Sequence, residues 1–204
     1  MPPRDSSRAP SPRATPAAGD ARVALLRGVN VNGKKISMAD LRAIATALGW
    51  GAPTTLLNSG NLVYRSTGPS SEQDAALLHD AIARDVGIRS TIFVRTQPQL
   101  AAILDACPLR AQAVENPSRL LVTLWDDEVT DDMRAAFSNA PVTNEQFVVG
   151  AHALYTWHPD GISASTVYDK AARASGHHIT ARNWSTMQKL LAQMVAHTTL
   201  QPTP

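Results

Sequence analysis

The hydrophobic pattern begins with a short apolar run, Val23-Ala24-Leu25-Leu26, which predicts a strand over residues 22–27. Leu41, Ile44, Ala45 and Leu48 then recur at the spacing of one helix face. Ser37 stands where an N-cap is needed, Asp40 follows three residues later, and Gly49 ends the run. Thr54–Leu57 and Leu62–Arg65 read as two short strands joined by the turn Asn58-Ser59-Gly60-Asn61. Leu78, Ile82 and Val86 mark a second helix, capped by Ser71 and stopped by Gly87. Ile92, Phe93 and Val94 lie in a fourth strand over Ser90–Arg95. The order is β-α-β-β-α-β, the pattern of a ferredoxin-like unit. Thr96 then caps a further helix that runs to about Ala106.

The second half repeats the order of elements. Leu120–Trp125 predicts a strand, Thr130 caps a short helix to about Ser138, and Gln146–Val149 pairs with His152–Trp157 around Gly150-Ala151. Asp160-Gly161 turns the chain into a helix over 163–174 that Gly176 ends, and His178–Ala181 predicts a last strand. Asn183 caps a final helix whose Met187, Leu190, Leu191, Met194 and Val195 form one apolar stripe, a core-facing pattern. The expected fold class is α+β, two ferredoxin-like β-α-β-β-α-β halves with additional helices. The expected divisions are a first unit over 21–96, a connecting helix and loop over 97–118, a second unit over 119–182, and a C-terminal helix and tail over 183–204.

Composition adds limits more than identity. The chain has 204 residues, 44% of them hydrophobic and 18% charged, which is ordinary for a water-exposed globular protein. Residues 1–20 are rich in Pro, Ala, Ser and Arg and lack an apolar segment, so they predict a disordered tail without a secretory leader. No run approaches a membrane span, and a cytoplasmic protein without membrane partners is expected. Cys107 is the single cysteine, so an intrachain disulfide is ruled out. The net charge of +2 argues little, but its distribution is uneven. Arg22, Arg27, Lys34, Lys35, Arg42 and Arg65 face one acid, Asp40, in residues 22–65, whereas residues 105–145 are acidic. A basic first portion can steer an anion to one side.

The candidate chemistry sits in the loop after the first strand, Arg27-Gly28-Val29-Asn30-Val31-Asn32-Gly33-Lys34-Lys35. Glycine-bearing loops can turn successive backbone N–H groups toward an anion, and a following helix N-terminus adds positive potential. The loop lacks the Gly-Lys-Ser/Thr ending of a nucleoside-triphosphate loop and the G-x-G-x-x-G of a dinucleotide site. In a β-α-β-β-α-β sheet the first strand is central and the third lies antiparallel beside it. Arg27–Asn32 and Ser59–Asn61 are therefore expected at one sheet end, with Arg182 reaching the same place. The candidate ligand-binding residues are Arg27, Gly28, Asn30, Gly33, Ser59, Gly60, Asn61 and Arg182. Each has a plainer reading: the glycines and asparagines serve turns and caps, and Asn183 beside Arg182 is a simple N-cap. No catalytic residue is identifiable. The histidines lack metal-ligand spacing, so neither a metal nor a cofactor is expected.

Four segments in order carry a resemblance. Leu25-Leu26-Arg27-Gly28-Val29-Asn30-Val31-Asn32-Gly33-Lys34, with Met38 and Leu41-Arg42, resembles the opening signature of a bacterial family catalogued as domain of unknown function 1697. Asn58-Ser59-Gly60-Asn61-Leu62-Val63-Tyr64, Val148-Val149-Gly150 and Thr180-Ala181-Arg182-Asn183-Trp184-Ser185-Thr186 resemble its later motifs, over residues 22–197 in all. The resemblance implies a fold of duplicated ferredoxin-like pieces and brings no activity. Two departures stand out. Asn58 occupies the place of a usual Gln, and Ser163-Ala164-Ser165-Thr166 lacks an expected Lys, with Thr166 near its position.

Three function classes stay open at this point. One is a module that binds a small phosphorylated or nucleotide-like anion at the polar loops. The second is an RNA or DNA binder using the sheet, with Tyr64 and Phe93 as its aromatics. The third is a structural or partner-binding protein whose last helix offers an apolar stripe. Oligomeric state does not follow from the sequence.

Overall fold

The computed structural model describes residues 19–31, 33, 35–125, 144–162 and 178–199, and positions 131, 134, 165 and 173 singly. The expected tail before residue 19, Asn32, Lys34, the helices over 130–138 and 163–174 with Thr166, and Gly176 lie outside the described residues.

The architecture is α+β, with two four-stranded antiparallel sheets and five helices among the described residues. The first sheet uses β1 (Asp20–Leu26), β2 (Gly51–Thr55), β3 (Asn61–Ser66) and β4 (Ile92–Thr96), in spatial order β2-β3-β1-β4. Helices α1 (Met38–Ala47) and α2 (Ser71–Val86) follow β1 and β3. The second sheet uses β5 (Leu120–Trp125), β6 (Gln146–Val149), β7 (Ala153–Trp157) and β8 (Ile179–Asn183), in order β6-β7-β5-β8. Helices α3 (Gln97–Asp105) and α4 (Arg110–Glu115) join the sheets, and α5 (Trp184–Thr199) closes the fold.

The continuous apolar run of β1 is explained by burial on both faces. Ala24 and Leu26 pack with Leu62, Tyr64 and Val94 against Leu41, Ile44, Leu78 and Ile82 of α1 and α2. Val23 and Leu25 face the other way with Val63 and Phe93. That second face joins Leu100 and Ile103 of α3, Met187, Leu190 and Met194 of α5, and Val122, Leu124 and Tyr155 of the second sheet in one core. The α5 stripe is thus core, as its periodicity predicts; Leu191 is partly buried, and Val195 at its margin stays 43% exposed.

Several boundaries move for physical reasons. β2 starts at Gly51, three residues before the expected Thr54, because it is an edge strand where Pro53 withholds no needed N–H. Leu57 leaves the strand with φ +58 and is 60% exposed. The α2 cap is Ser70, not Ser71; its hydroxyl accepts from the Gln73 N–H at 3.2 Å. The helix α4 falls within the region expected to be a connector. β8 continues to Asn183, whose Oδ1 still accepts from the Thr186 N–H at 2.9 Å, as an N-cap does.

Arg22 is spent on the first sheet's interior. Its guanidinium donates to Asp74 Oδ2 at 2.8 Å, to Ser70 O at 2.9 Å and to Gly68 O at 2.5 Å. Asp74, 1% exposed, also accepts from Tyr64 Oη at 3.0 Å and Ser66 Oγ at 3.1 Å. Tyr64 in turn stacks on Trp50, with centroids 3.9 Å apart. Burial and the adjoining Asp74 carboxylate push the Tyr64 hydroxyl's pKa far upward, so it stays a donor. Asp74→Ala leaves Arg22 charged and buried without its partner and is expected to destabilise the fold by about 3–5 kcal/mol. Urea unfolding measures this, and a loss below ~1 kcal/mol contradicts the assignment.

His197 fastens α5 to the first sheet. Its Nε2 meets Thr54 Oγ1 at 3.2 Å, while its Nδ1 is buried without a partner. Burial, then the nearby Arg65, holds its pKa below the ordinary 6.5. The unfolded chain therefore takes up a proton before the folded one does. The stability His197 contributes is full above about pH 6.5 and is lost as pH falls from there through the depressed folded value. Unfolding free energies across this range are expected to drop less steeply in His197→Gln, and identical slopes contradict the role.

Candidate functional site

The turn before β3 and the loop after β1 meet at one end of the first sheet, as the strand order requires. The Leu26 N–H donates to Gly60 O at 2.9 Å, and Asn30 Nδ2 donates to Asn58 O at 2.7 Å. Gly60 has φ +71, and a Cβ there would lie 2.5 Å from Val29 Cγ2 and 2.8 Å from Leu26 Cβ. A glycine is needed twice over, for the dihedral and for the close approach. Asn61 is fully buried and donates to Leu56 O and to Ser59 Oγ, both at 2.9 Å. Asn30, at φ +58, also accepts from the Ile36 N–H at 2.9 Å, which folds the loop back on itself.

Arg182 joins this cluster from the second sheet. Its Nε donates to Asn61 Oδ1 at 2.5 Å, and one terminal nitrogen donates to Leu26 O and Ser59 O, both at 2.9 Å. The other donates to Thr180 Oγ1 at 3.1 Å and Ala181 O at 2.8 Å. A guanidinium has five N–H donors, and this geometry directs them at protein acceptors. Arg182 therefore staples the two sheets at the place where the sequence sets a ligand contact. Asn30, Gly60 and Asn61 serve the same internal framework, while the Ser59 hydroxyl lies at its exposed edge.

Arg27, Gly28 and Gly33 are different. The Arg27 backbone is held by Thr91 O at 2.9 Å and by Ser90 Oγ, which donates to Arg27 O at 2.8 Å. Its half-buried side chain makes no hydrogen bond or ion pair among the described residues. Gly28 and Gly33 have φ +63 and +82 with open space where a Cβ would stand. Gly33 lines a shallow concavity of about 580 Å³ with Lys35, Val86, Gly87, Ile88 and Arg89. Lys35 and Arg89 are exposed and likewise unpaired among the described residues. No sequence motif marks Arg89, which sits in the connection between α2 and β4. The available signal was topological: β4 runs antiparallel to β1 with Leu26 opposite Ile92, so the chain entering β4 lies beside the loop leaving β1. Asp40 in the first turn of α1 offsets the positive potential of that helix end.

Among the described residues the other reactive groups are closed to substrate. Thr156 Oγ1 meets His158 Nε2 at 2.7 Å, and His158 Nδ1 meets Glu145 Oε1 at 2.6 Å. That is a hydroxyl–imidazole–carboxylate order, but Thr156 and His158 are 2% and 1% exposed, so a substrate has no access. Cys107 is buried and free, and burial pushes its thiol's pKa up, away from the reactive thiolate. Among the described residues no group of three His, Cys, Asp or Glu side chains is placed to hold a metal.

The staple makes a definite demand. Arg182→Ala strands the Leu26 and Ser59 carbonyls and the Asn61 amide oxygen and is expected to cost about 2–4 kcal/mol. Gly60→Ala is expected to destabilise comparably, through φ strain and contact with Val29, by about 1–3 kcal/mol. Thermal and urea unfolding test both, and wild-type stability in either variant contradicts the account.

Comparison with known proteins agrees with the architecture. The chain has a fold similar to that of a solved structure described as "conserved bacterial protein SP0830 from Streptococcus pneumoniae", with TM-score 0.68 and 22% identity. The similarity covers 87% of this chain and 99% of that one. No helix among the described residues is long and apolar enough to cross a membrane. No curated protein matches the chain. A family model described as "Protein of unknown function (DUF1697)" matches residues 20–155, from β1 into β7, and takes in the Arg27–Lys34, Asn58–Tyr64 and Val148–Gly150 motifs; the Arg182 motif lies beyond its end. With two thirds of its length matched, the chain belongs to this family of unknown function.

Proposed function

We propose that the protein binds a small phosphorylated or nucleotide-like anion at the basic end of the first sheet. Arg27, Lys35 and Arg89 supply charge, and Gly28 and Gly33 let backbone N–H groups approach the ligand. The observation that carries this reading is the fate of the cations. Arg22 and Arg182 are consumed by carbonyls and a carboxylate, whereas Lys35 and Arg89 line one concavity with Gly33 and the Arg27 backbone lies against Ser90 and Thr91 next to it, all three without acidic partners among the described residues. Arg182, with Asn30, Gly60 and Asn61, acts here as a positioning residue that holds the loop pair in register. Hydrogen bonds to charged groups contribute about 1.5–3 kcal/mol each when well formed. Two or three exposed ones correspond to an affinity on the order of micromolar to millimolar.

The nucleic-acid reading has less support. Tyr64 and Phe93 are both fully buried, on opposite faces of a sheet whose two faces are covered. The partner-binding reading loses most of the α5 stripe to the core. We further read both halves as ferredoxin-like units, divided at residues 21–96 and 119–182, and place the protein in the cytoplasm. The strand orders β2-β3-β1-β4 and β6-β7-β5-β8 support the first reading, and the free Cys107 is compatible with the second.

Thermal shift with pyrophosphate, a nucleoside triphosphate and an oligonucleotide tests the proposal. A rise in Tm with a small anion is expected, with Arg89→Ala and Lys35→Ala each weakening affinity about 3–10-fold. Stabilisation by the oligonucleotide alone, falling steeply with salt, moves the function to nucleic acid. No shift with any probe overturns the anion reading.

A further inference from the structure

A second concavity lies along the outer edge of β4. It has a volume of about 590 Å³, within the range of small-molecule sites. Ala75 of α2 and Ala102 of α3 form its small-residue walls, Ile92, Val94 and Ile103 its floor, and Trp125 at the end of β5 its far side. It shares no lining residue with the basic concavity.

The polar lining includes Ser71, Glu72, Arg95, Gln99 and His152. Thr91 O accepts from Arg27 across the β1 side, so strand alternation turns the Val94 N–H and C=O outward, where β4 has no neighbouring strand among the described residues. The Val94 and Trp125 carbonyls are already taken. Arg95 donates to Val94 O at 2.8 Å and to Trp125 O at 2.5 Å, and the Thr96 N–H uses Gln99 Oε1 at 2.9 Å. Three donors stand beside them: the Val94 amide, the Gln99 amide nitrogen, and the Trp125 indole N–H, which is buried without an acceptor among the described residues. Trp125 itself is only 4% exposed. The positive Arg95 lies between them. Glu72 at the rim is an exposed carboxylate whose own N–H and the Ser70 hydroxyl hold its pKa below the ordinary value.

A buried donor without an acceptor is a standing penalty that an incoming acceptor relieves. We propose that this groove binds an amphipathic carboxylate, with an apolar body against Ile92, Val94, Ile103 and Trp125. Its carboxylate accepts from the Val94 amide and, after a small adjustment of the ring, from the Trp125 indole N–H beside Arg95. The alternative of an added peptide strand is disfavoured by length. The free edge runs only from Ile92 to Val94 before Gln99 occupies Thr96 and α3 turns away, shorter than an ordinary strand of about 5–6 residues.

The test is a titration of the ¹⁵N-labelled full chain, following the Trp125 indole resonance assigned with Trp125→Phe. The probes are 3-phenylpropionate and octanoate, each beside its primary amide. Saturable movement with an acid, and about tenfold weaker binding of the matching amide, is the expected result. Ala102→Trp fills the groove and abolishes the response; if that variant does not fold, Ala75→Leu from the opposite wall serves. No saturable movement with either acid at millimolar concentration overturns the site. So does a response that survives the groove-filling substitution in a variant of unchanged Tm. A response only to an extended peptide replaces the proposal with strand addition. Inorganic phosphate, a probe of the basic loop, is expected to leave Trp125 unmoved, and movement with phosphate equal to that with the acids overturns the preference for an amphipathic ligand.

Discussion

Helix α5 occupies the space where two sheets each have an apolar face left to bury. Val23, Leu25, Val63 and Phe93 present one such face, and Val122, Leu124 and Tyr155 the other. Met187, Leu190 and Met194 fill the space between them, with Leu100 and Ile103 of α3 beside. Full burial of each such side chain contributes about 1.5–3 kcal/mol, so this helix alone represents a large part of a marginal total. The two halves are consequently not independent. Their strands come from separate stretches of chain, but their interior is common.

That shared interior explains the position of Arg182. β8 runs directly into α5, so docking of the helix brings the end of β8 to the loop end of the first sheet. There the guanidinium meets the carbonyls of Leu26 and Ser59 and the Asn61 side chain. The buried Asn61 and Leu26 acceptors need donors where water is excluded. The same docking brings His197 to Thr54 at the other end of α5. A hydrophobic contact thus sets the geometry, and polar groups at its margins fix the register.

Arginine in this protein has two fates, and burial separates them. Arg22 is 4% exposed and sits among Asp74, Ser70 O and Gly68 O, which desolvation makes into obligatory partners. Arg27 and Arg89 stand on loops that leave or enter strands, where no side-chain partner competes among the described residues. A charge count over residues 22–65 treats these alike. The electrostatic surface that solvent meets is made by those the core has not taken. At the β4 groove Arg95 takes the Val94 and Trp125 carbonyls, and the Trp125 indole N–H is left without an acceptor among the described residues.

Much of the fold was legible from local signals. The Val23–Leu26 run, the Leu41–Leu48 and Met187–Met194 periodicities and the Gly87 stop each depend on neighbours in sequence, so they survive translation into structure. The meeting of Arg27–Asn30 with Ser59–Asn61 was also legible, because antiparallel pairing of adjacent strands dictates it. The roles within that meeting were not. Asn30, Asn61 and Arg182 have side chains equally suited to a ligand or to a backbone carbonyl, and the choice depends on which carbonyls desolvation leaves unpaired. Arg89 was invisible for the converse reason: its importance comes from the neighbours that β4 acquires, not from any motif. Local pattern is written in the order of residues. The partner of a charged side chain is written in which surfaces lose their water, and that becomes definite only when the sheets close on α5.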